Sequence, residues 1–181
     1  FNGQTNQVFE KQVKDFLREI SVYFPFLEHM DLCIDSTNNF PHSAGMASSA
    51  SALSSLALCI CSMEQQMKGV ESDSLSFFQK ASYMARIGSG SAARSVYGKY
   101  VEWGKPGAGS DDFATPLKGE VNEDMEFLHD SVLITSSRSK TISSSTGHSL
   151  MEQHPFRQAR INQARANFQK LKKALQKGDF S

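Results

Sequence analysis

The sequence predicts an α+β fold. Four long segments repeat apolar residues at the three-to-four spacing of amphipathic helices. Three short segments carry the alternating or continuous apolar character of strands. The two kinds follow one another irregularly, without the even strand–helix–strand repeat of a parallel sheet. No internal repeat is visible.

The first helix is predicted over residues 4–23, where Val8, Phe9, Val13, Phe16, Leu17 and Ile20 recur between charged residues and Pro25 closes the run. Residues 30–35 alternate and predict a short strand, followed by a loop over 37–44. A second helix follows from about residue 47 to 67, with Gly69 as its stop. Ser72 or Asp73 caps the third, whose face carries Leu75, Phe78, Ala81, Met84 and Ala85. Residues 94 onward predict a short helix, 100–103 a strand and 104–112 a flexible loop. The clearest strand pattern spans 131–135, and a Ser-rich segment runs from there to 149. The last helix covers about 156–177, with Phe156, Ile161, Ala164, Phe168, Leu171 and Leu175 on one side.

Composition narrows the function. The 181 residues fit one large domain or more, and 39% hydrophobic content supplies a core. Nineteen basic and nineteen acidic side chains cancel, so no charge field points to nucleic acid or an anionic membrane. The longest apolar stretch, residues 56–60, is too short to span a bilayer. No signal peptide is visible, and the chain starts at Phe1, so it reads as a piece of a longer protein. Three cysteines without metal spacing, Cys33, Cys59 and Cys61, read as free, mostly buried thiols of a reducing compartment. Cys59 and Cys61, two apart in a helix, point different ways.

Three clusters carry candidate chemistry. In Pro41-His42-Ser43-Ala44-Gly45-Met46-Ala47-Ser48-Ser49-Ala50, small residues run directly into a helix. Backbone N–H groups of Gly45, Met46, Ala47, Ser48 and Ser49, with the two serine hydroxyls, form either an anion cradle at a helix start or simply a tightly packed one. The segment lacks the Gly-Lys-Ser/Thr of a Walker-type loop and the Gly-x-Gly-x-x-Gly of a dinucleotide site. In Gly88-Ser89-Gly90-Ser91-Ala92-Ala93-Arg94-Ser95, two hydroxyls stand beside a guanidinium that can grip a carboxylate or phosphate in bidentate fashion. A flexible linker with an exposed arginine is the plainer alternative, but two such clusters in one chain favour a site. Ser143-Ser144-Ser145-Thr146-Gly147-His148 is a phosphate contact or a polar connection. His42 and His148 lack a visible partner, Asp111 and Asp112 read as a solvated acidic turn, and Trp103 reads as core.

In this order the clusters resemble the diphosphomevalonate decarboxylases of the GHMP kinase superfamily. The first is similar to that superfamily's Pro-x-x-x-Gly-Leu-x-Ser-Ser-Ala phosphate loop. The second is similar to the more specific decarboxylase signature Gly-Ser-Gly-Ser-Ala-Cys-Arg-Ser, continued here by Tyr97-Gly98 and Val101-Glu102-Trp103. The run Ser143-Ser144-x-x-Gly147 resembles a third family segment. The resemblance implies a ribosomal-protein-S5-like N-terminal ATP-binding domain over residues 1–126 and the start of a ferredoxin-like C-terminal domain over 127–181. It also implies a cytoplasmic homodimer of the mevalonate pathway.

The implied reaction is an ATP-dependent decarboxylation of mevalonate 5-diphosphate to isopentenyl diphosphate. The tertiary 3-hydroxyl is phosphorylated, phosphate leaves, and loss of carbon dioxide relieves the positive character that develops. By resemblance, Gly45 to Ser49 hold the ATP phosphates and Arg94 orients the substrate carboxylate, with Ser89, Ser91 and Ser144 in the substrate site. Mg²⁺ is then held mostly by the phosphates, and no metal-ligating residue is expected in the chain. A mevalonate 3-kinase, a phosphomevalonate decarboxylase and a non-catalytic phosphate-binding module are the rival expectations. Met46 replaces the family's Leu, His42 and Ser43 stand where small residues are usual, and Ala93 stands where Cys is common. The family's catalytic Asp belongs to a later motif and its Tyr and Lys substrate ligands to an earlier one. The stretch alone is therefore expected to be inactive.

Overall fold

The first amphipathic pattern folds as helix α1, Gln7–Ile20, in a computed structural model that describes residues 7–40, 46–69, 73–104, 111–133 and 144–179. Phe16 and Ile20, four apart and so on one face, are both buried. Val8, expected beside them, is 82% exposed in the first turn. The solvent face carries the pairs Glu10–Lys14 and Lys11–Asp15, which add little to stability in water. Pro25 does not close this helix. The chain tightens into a 3₁₀ turn, Ser21–Tyr23, and Pro25 opens a second one, Pro25–His29, at a position where its missing N–H costs nothing.

Helix α2 spans Ser48–Lys68 and ends at Gly69, whose left-handed φ of 60° suits a residue without a Cβ. Helix α3 spans Ser74–Gly88; its cap is Asp73, whose carboxylate accepts the Ser76 N–H at 2.8 Å. Ala57 of α2 and Ala81 and Ala85 of α3 are fully buried, so small side chains let the backbones approach. Phe16, Ile20, Phe24, Leu53, Ile60 and Met84 fill the space around them. Of the three thiols only Cys61 is buried; Cys33 and Cys59 are exposed, against the expectation that most would be covered. Their placement follows the helix: Cys59 and Cys61 are two positions, and so about 200°, apart on α2.

Gly88 closes α3 for a packing reason. A Cβ there would lie 2.7 Å from Phe16 Cδ2 and 3.1 Å from Leu53 Cδ1. Gly88→Ala is expected to cost about 1–3 kcal/mol of stability, because a buried ring must give way. A denaturation midpoint equal to that of the parent protein would show that Phe16 moves aside freely.

Strand structure is scarcer than the sequence predicts. Among the described residues the only ladder is β1 (Val101–Glu102) antiparallel to β2 (Thr115–Pro116), with Val101 opposite Pro116. Residues 30–35 and 131–133 form no strand. Their alternation defines a face, but a strand also needs a neighbour for its N–H and C=O groups, and no described segment pairs with them. Leu133 is accordingly 87% exposed. Residues 134 and 135 of that predicted strand lie outside the described residues, as do 41–45 and 136–143.

The chain divides into two compact units, Phe1–Pro116 and Leu117–Ser181. The second contains the 3₁₀ turn Glu123–Phe127, helix α4 (Ser144–Glu152) and helix α5 (Arg157–Lys177). Asn122 organises it: its side chain accepts the Asp124 N–H, and its own N–H donates to the Leu175 carbonyl at 2.9 Å. No residue of α5 is buried.

Candidate functional site: a basic cleft at the start of α2

Helix α2 begins without a side-chain cap. Its N-cap is Ala47, which has no acceptor to offer and sits in the left-handed region, φ 53° and ψ 40°. A residue with a Cβ is strained there by about 1 kcal/mol. The Ser51 N–H donates to the Ala47 carbonyl at 3.1 Å. The N–H groups one to three residues earlier have no acceptor within the helix. No acidic side chain occupies the first turn, so the helix itself offers nothing to offset the positive end of its dipole.

After Gly88 the chain passes through extended Ser89 into a 3₁₀ segment, Gly90–Val96. In such a turn, residues three apart share a side. Ala93 and Val96 are buried on one side, while Ser91 and Arg94 face the other. The segment is anchored by a residue the sequence reading passed over. Ser82 of α3, fully buried, donates its hydroxyl to the Ala93 carbonyl at 2.7 Å and accepts the Ala114 N–H at 2.8 Å. Trp103 backs the same segment. Its indole N–H donates to the Asp111 carbonyl at 3.0 Å, and its ring lies 3.1 Å from where a Cβ on Gly90 would be. Asp112 pairs with Arg86, Nη2 to Oδ1 at 3.6 Å.

These two pieces meet across a cleft of about 290 Å³. Ala47 and Ala50 contribute from the start of α2, and Ser91, Arg94 and Ser95 from the 3₁₀ segment; Tyr97, Lys99 and Val101 complete the lining. The guanidinium of Arg94 is exposed and makes no ion pair with any described residue. The Tyr97 hydroxyl is buried with no hydrogen-bond partner among the described residues, and burial pushes its pKa above the ordinary phenol value.

Residues 1–114 match the diphosphomevalonate decarboxylase-like N-terminal domain. The chain belongs to this family. It is 29% identical over 194 residues to the diphosphomevalonate decarboxylase of Saccharomyces cerevisiae, an alignment covering 99% of this chain and 46% of the yeast protein. It is 38% identical over 117 residues to the human diphosphomevalonate decarboxylase, covering 63% of this chain and 26% of that protein. With the enzyme of the same name from Ganoderma lucidum it shares 31% identity over 154 residues. The chain thus spans less than half of these curated relatives. No solved structure matches significantly. Membership carries a GHMP-like fold, and the family match ends close to Pro116, where the first compact unit ends.

Within this decarboxylase-like domain the expected site residues separate. Ala47, Ser91 and Arg94 share the cleft. Met46, Ser48 and Ser49 adjoin Ala47, each half-buried; Gly45 and His42 lie outside the described residues. Ser89 is not among the residues lining the cleft; its backbone holds the turn, the carbonyl accepting the Ala92 N–H at 2.8 Å and the N–H donating to the Ala85 carbonyl at 3.0 Å. Ser144 opens α4 in the second unit. Ser95, Tyr97 and Lys99 were not foreseen; Lys99 is two residues past Tyr97 and reads in sequence as surface charge.

Another concavity, about 160 Å³, lies between α2 and α3 beside Cys61, Glu64 and Lys80. Glu64 bonds Lys68 at 2.7 Å and also pairs with Lys80, so the one carboxylate there is already engaged by two ammonium groups. Burial pushes the Cys61 thiol up to about 12, which leaves it without thiolate character at neutral pH. Among the described residues no cluster of three His, Cys, Asp or Glu side chains could hold a metal, and no helix is long and apolar enough to cross a membrane.

Proposed function

We propose that the whole protein catalyses the ATP-dependent decarboxylation of mevalonate 5-diphosphate, giving isopentenyl diphosphate. The observation that carries this reading is the cleft that sets the uncapped start of α2 against Arg94. Its lining presents N–H, hydroxyl, guanidinium and ammonium donors, a set suited to an anion and poor in ligands for a cation. Magnesium would therefore be carried by the phosphates and water rather than by the described lining residues.

In this reading the first turn of α2, from Ala47 to Ser49, receives phosphate oxygens, with Met46 and Gly45 continuing the loop. Arg94 holds the acceptor's carboxylate in its planar fork, and Ser91, three residues back on the same side, hydrogen-bonds beside it. Ser89 holds the turn through its backbone and offers its hydroxyl to the substrate. Ser144, the first residue of α4, keeps the substrate-binding role that the family resemblance gives it. ATP supplies the phosphoryl group that turns the tertiary hydroxyl into a leaving group. The chain's own task is to fix the two anionic substrates and manage their charge. In this reading residues 1–126 form the ATP-binding domain and residues 127–181 begin the ferredoxin-like second domain. The family reading carries a cytoplasmic homodimer.

A coupled ADP-release assay on the whole protein, run with mevalonate, its 5-phosphate and its 5-diphosphate, tests this. ADP and carbon dioxide are expected together from the 5-diphosphate. ADP without carbon dioxide from mevalonate would make the protein a 3-kinase, and turnover of the monophosphate alone would make it a phosphomevalonate decarboxylase. Binding without turnover would leave a phosphate-binding module.

A further inference from the structure

Two cations line the cleft, and one of them stands on a backbone that does not suit it. Lys99 has φ 62°, a left-handed conformation that glycine adopts freely and that brings a Cβ against the neighbouring carbonyl. Lysine has no local hydrogen-bonding side chain, as Asn or Asp has, to offset that strain. Strain of this kind persists where the surroundings impose it, and it concentrates at ligand sites. Here Lys99, an exposed residue, lines the same cleft as Arg94 and Ser91.

We propose that Lys99 is a second anion-contacting residue of this cleft, matched to the diphosphate portion of the ligand. This rests on the reading of the cleft given above. One guanidinium suffices for one carboxylate or one phosphate. A phosphoanhydride carries at least two negative charges at neutral pH, and a flexible ammonium supplies a second point charge that follows whichever phosphate lies nearest. Both ATP and an acceptor diphosphate contain this group.

The test is calorimetric titration of the whole protein and two variants with ATP, inorganic diphosphate and mevalonate 5-diphosphate, at low and high salt. Lys99→Gly removes the charge and relaxes the backbone, so it is expected to keep or raise the melting temperature. It should nonetheless lose about tenfold in affinity for at least one diphosphate-bearing probe at low salt, with a smaller loss at high salt because exposed charge is screened. Lys99→Arg should retain affinity within about threefold, a difference below 1 kcal/mol. A loss confined to ATP assigns Lys99 to the phosphoryl donor; one confined to mevalonate 5-diphosphate assigns it to the acceptor. Unchanged affinity of Lys99→Gly for every probe that the parent protein binds overturns the assignment of Lys99 alone. Failure of the parent protein to bind any of the three overturns the reading of the cleft together with it.

Discussion

Replacing Arg94 by alanine is expected to lower kcat/KM about a hundredfold to a thousandfold in the whole protein while leaving its melting temperature unchanged. The two halves of that expectation have separate causes. Arg94 is exposed and forms no ion pair with a described residue, so folding loses little when it goes. The buried side of its 3₁₀ segment is held by Ala92, Ala93 and Val96, which the substitution leaves alone. In the proposed reading, catalysis loses the planar fork that holds the acceptor's carboxylate in place, and a misplaced reacting group costs about a hundredfold or more. Arg94→Lys keeps the charge but not the planar fork, and should recover only part of the loss. Steady-state kinetics and thermal unfolding measured on the same preparation decide the matter. Near-normal turnover in Arg94→Ala would remove this residue from the site.

Ser82→Ala reverses the pattern. It is expected to destabilise the protein by about 2–4 kcal/mol, since the Ala93 carbonyl and the Ala114 N–H both lose their partner inside the core. Both residues are fully buried, so water cannot replace the hydroxyl without the structure opening. For a chain of this size the change corresponds to a fall in Tm of roughly 5–15 °C. A Tm within about 1 °C of the parent's would mean that the two backbone groups find other partners. Because Ala93 immediately precedes Arg94, turnover should also fall, but steeply only as the variant approaches its lowered Tm.

Much of the first unit was legible because its determinants are local. Asp73 three residues ahead of Ser76 announces a cap, Gly69 announces a stop, and α2, like α5 of the second unit, ends within a residue or two of where spacing places it. The strands were not legible to the same degree. The alternation over 30–35 says which side chains would share a face, but not whether another segment lies alongside. Pairing is a property of distant residues, as β1 and β2 show by joining Val101 to Pro116. The site divides in the same way. Arg94 announces itself through the company of serines. Ser82 does not, since a single serine among Ala81, Met84 and Ala85 looks like a tolerated substitution on an apolar face until its two backbone partners are seen. Lys99 was hidden for a further reason: its interest lies in a backbone angle, and lysine is not a residue from which sequence leads one to expect a positive φ.

The segment from Gly88 to Arg94 mixes two kinds of necessity. Gly88 and Gly90 are small because Phe16 and Trp103 occupy the space a Cβ would need, whereas Arg94 is exposed in the lining of the cleft. Inherited or laboratory lesions in this short stretch should therefore fall into two phenotypic classes. Alleles at the glycines should be temperature-sensitive, failing at the upper end of growth and recovering when the culture is cooled or the protein is made more abundantly. Alleles at the arginine should fail at every temperature and every dose, because a well-folded protein without that side chain gains nothing from being more stable or more plentiful.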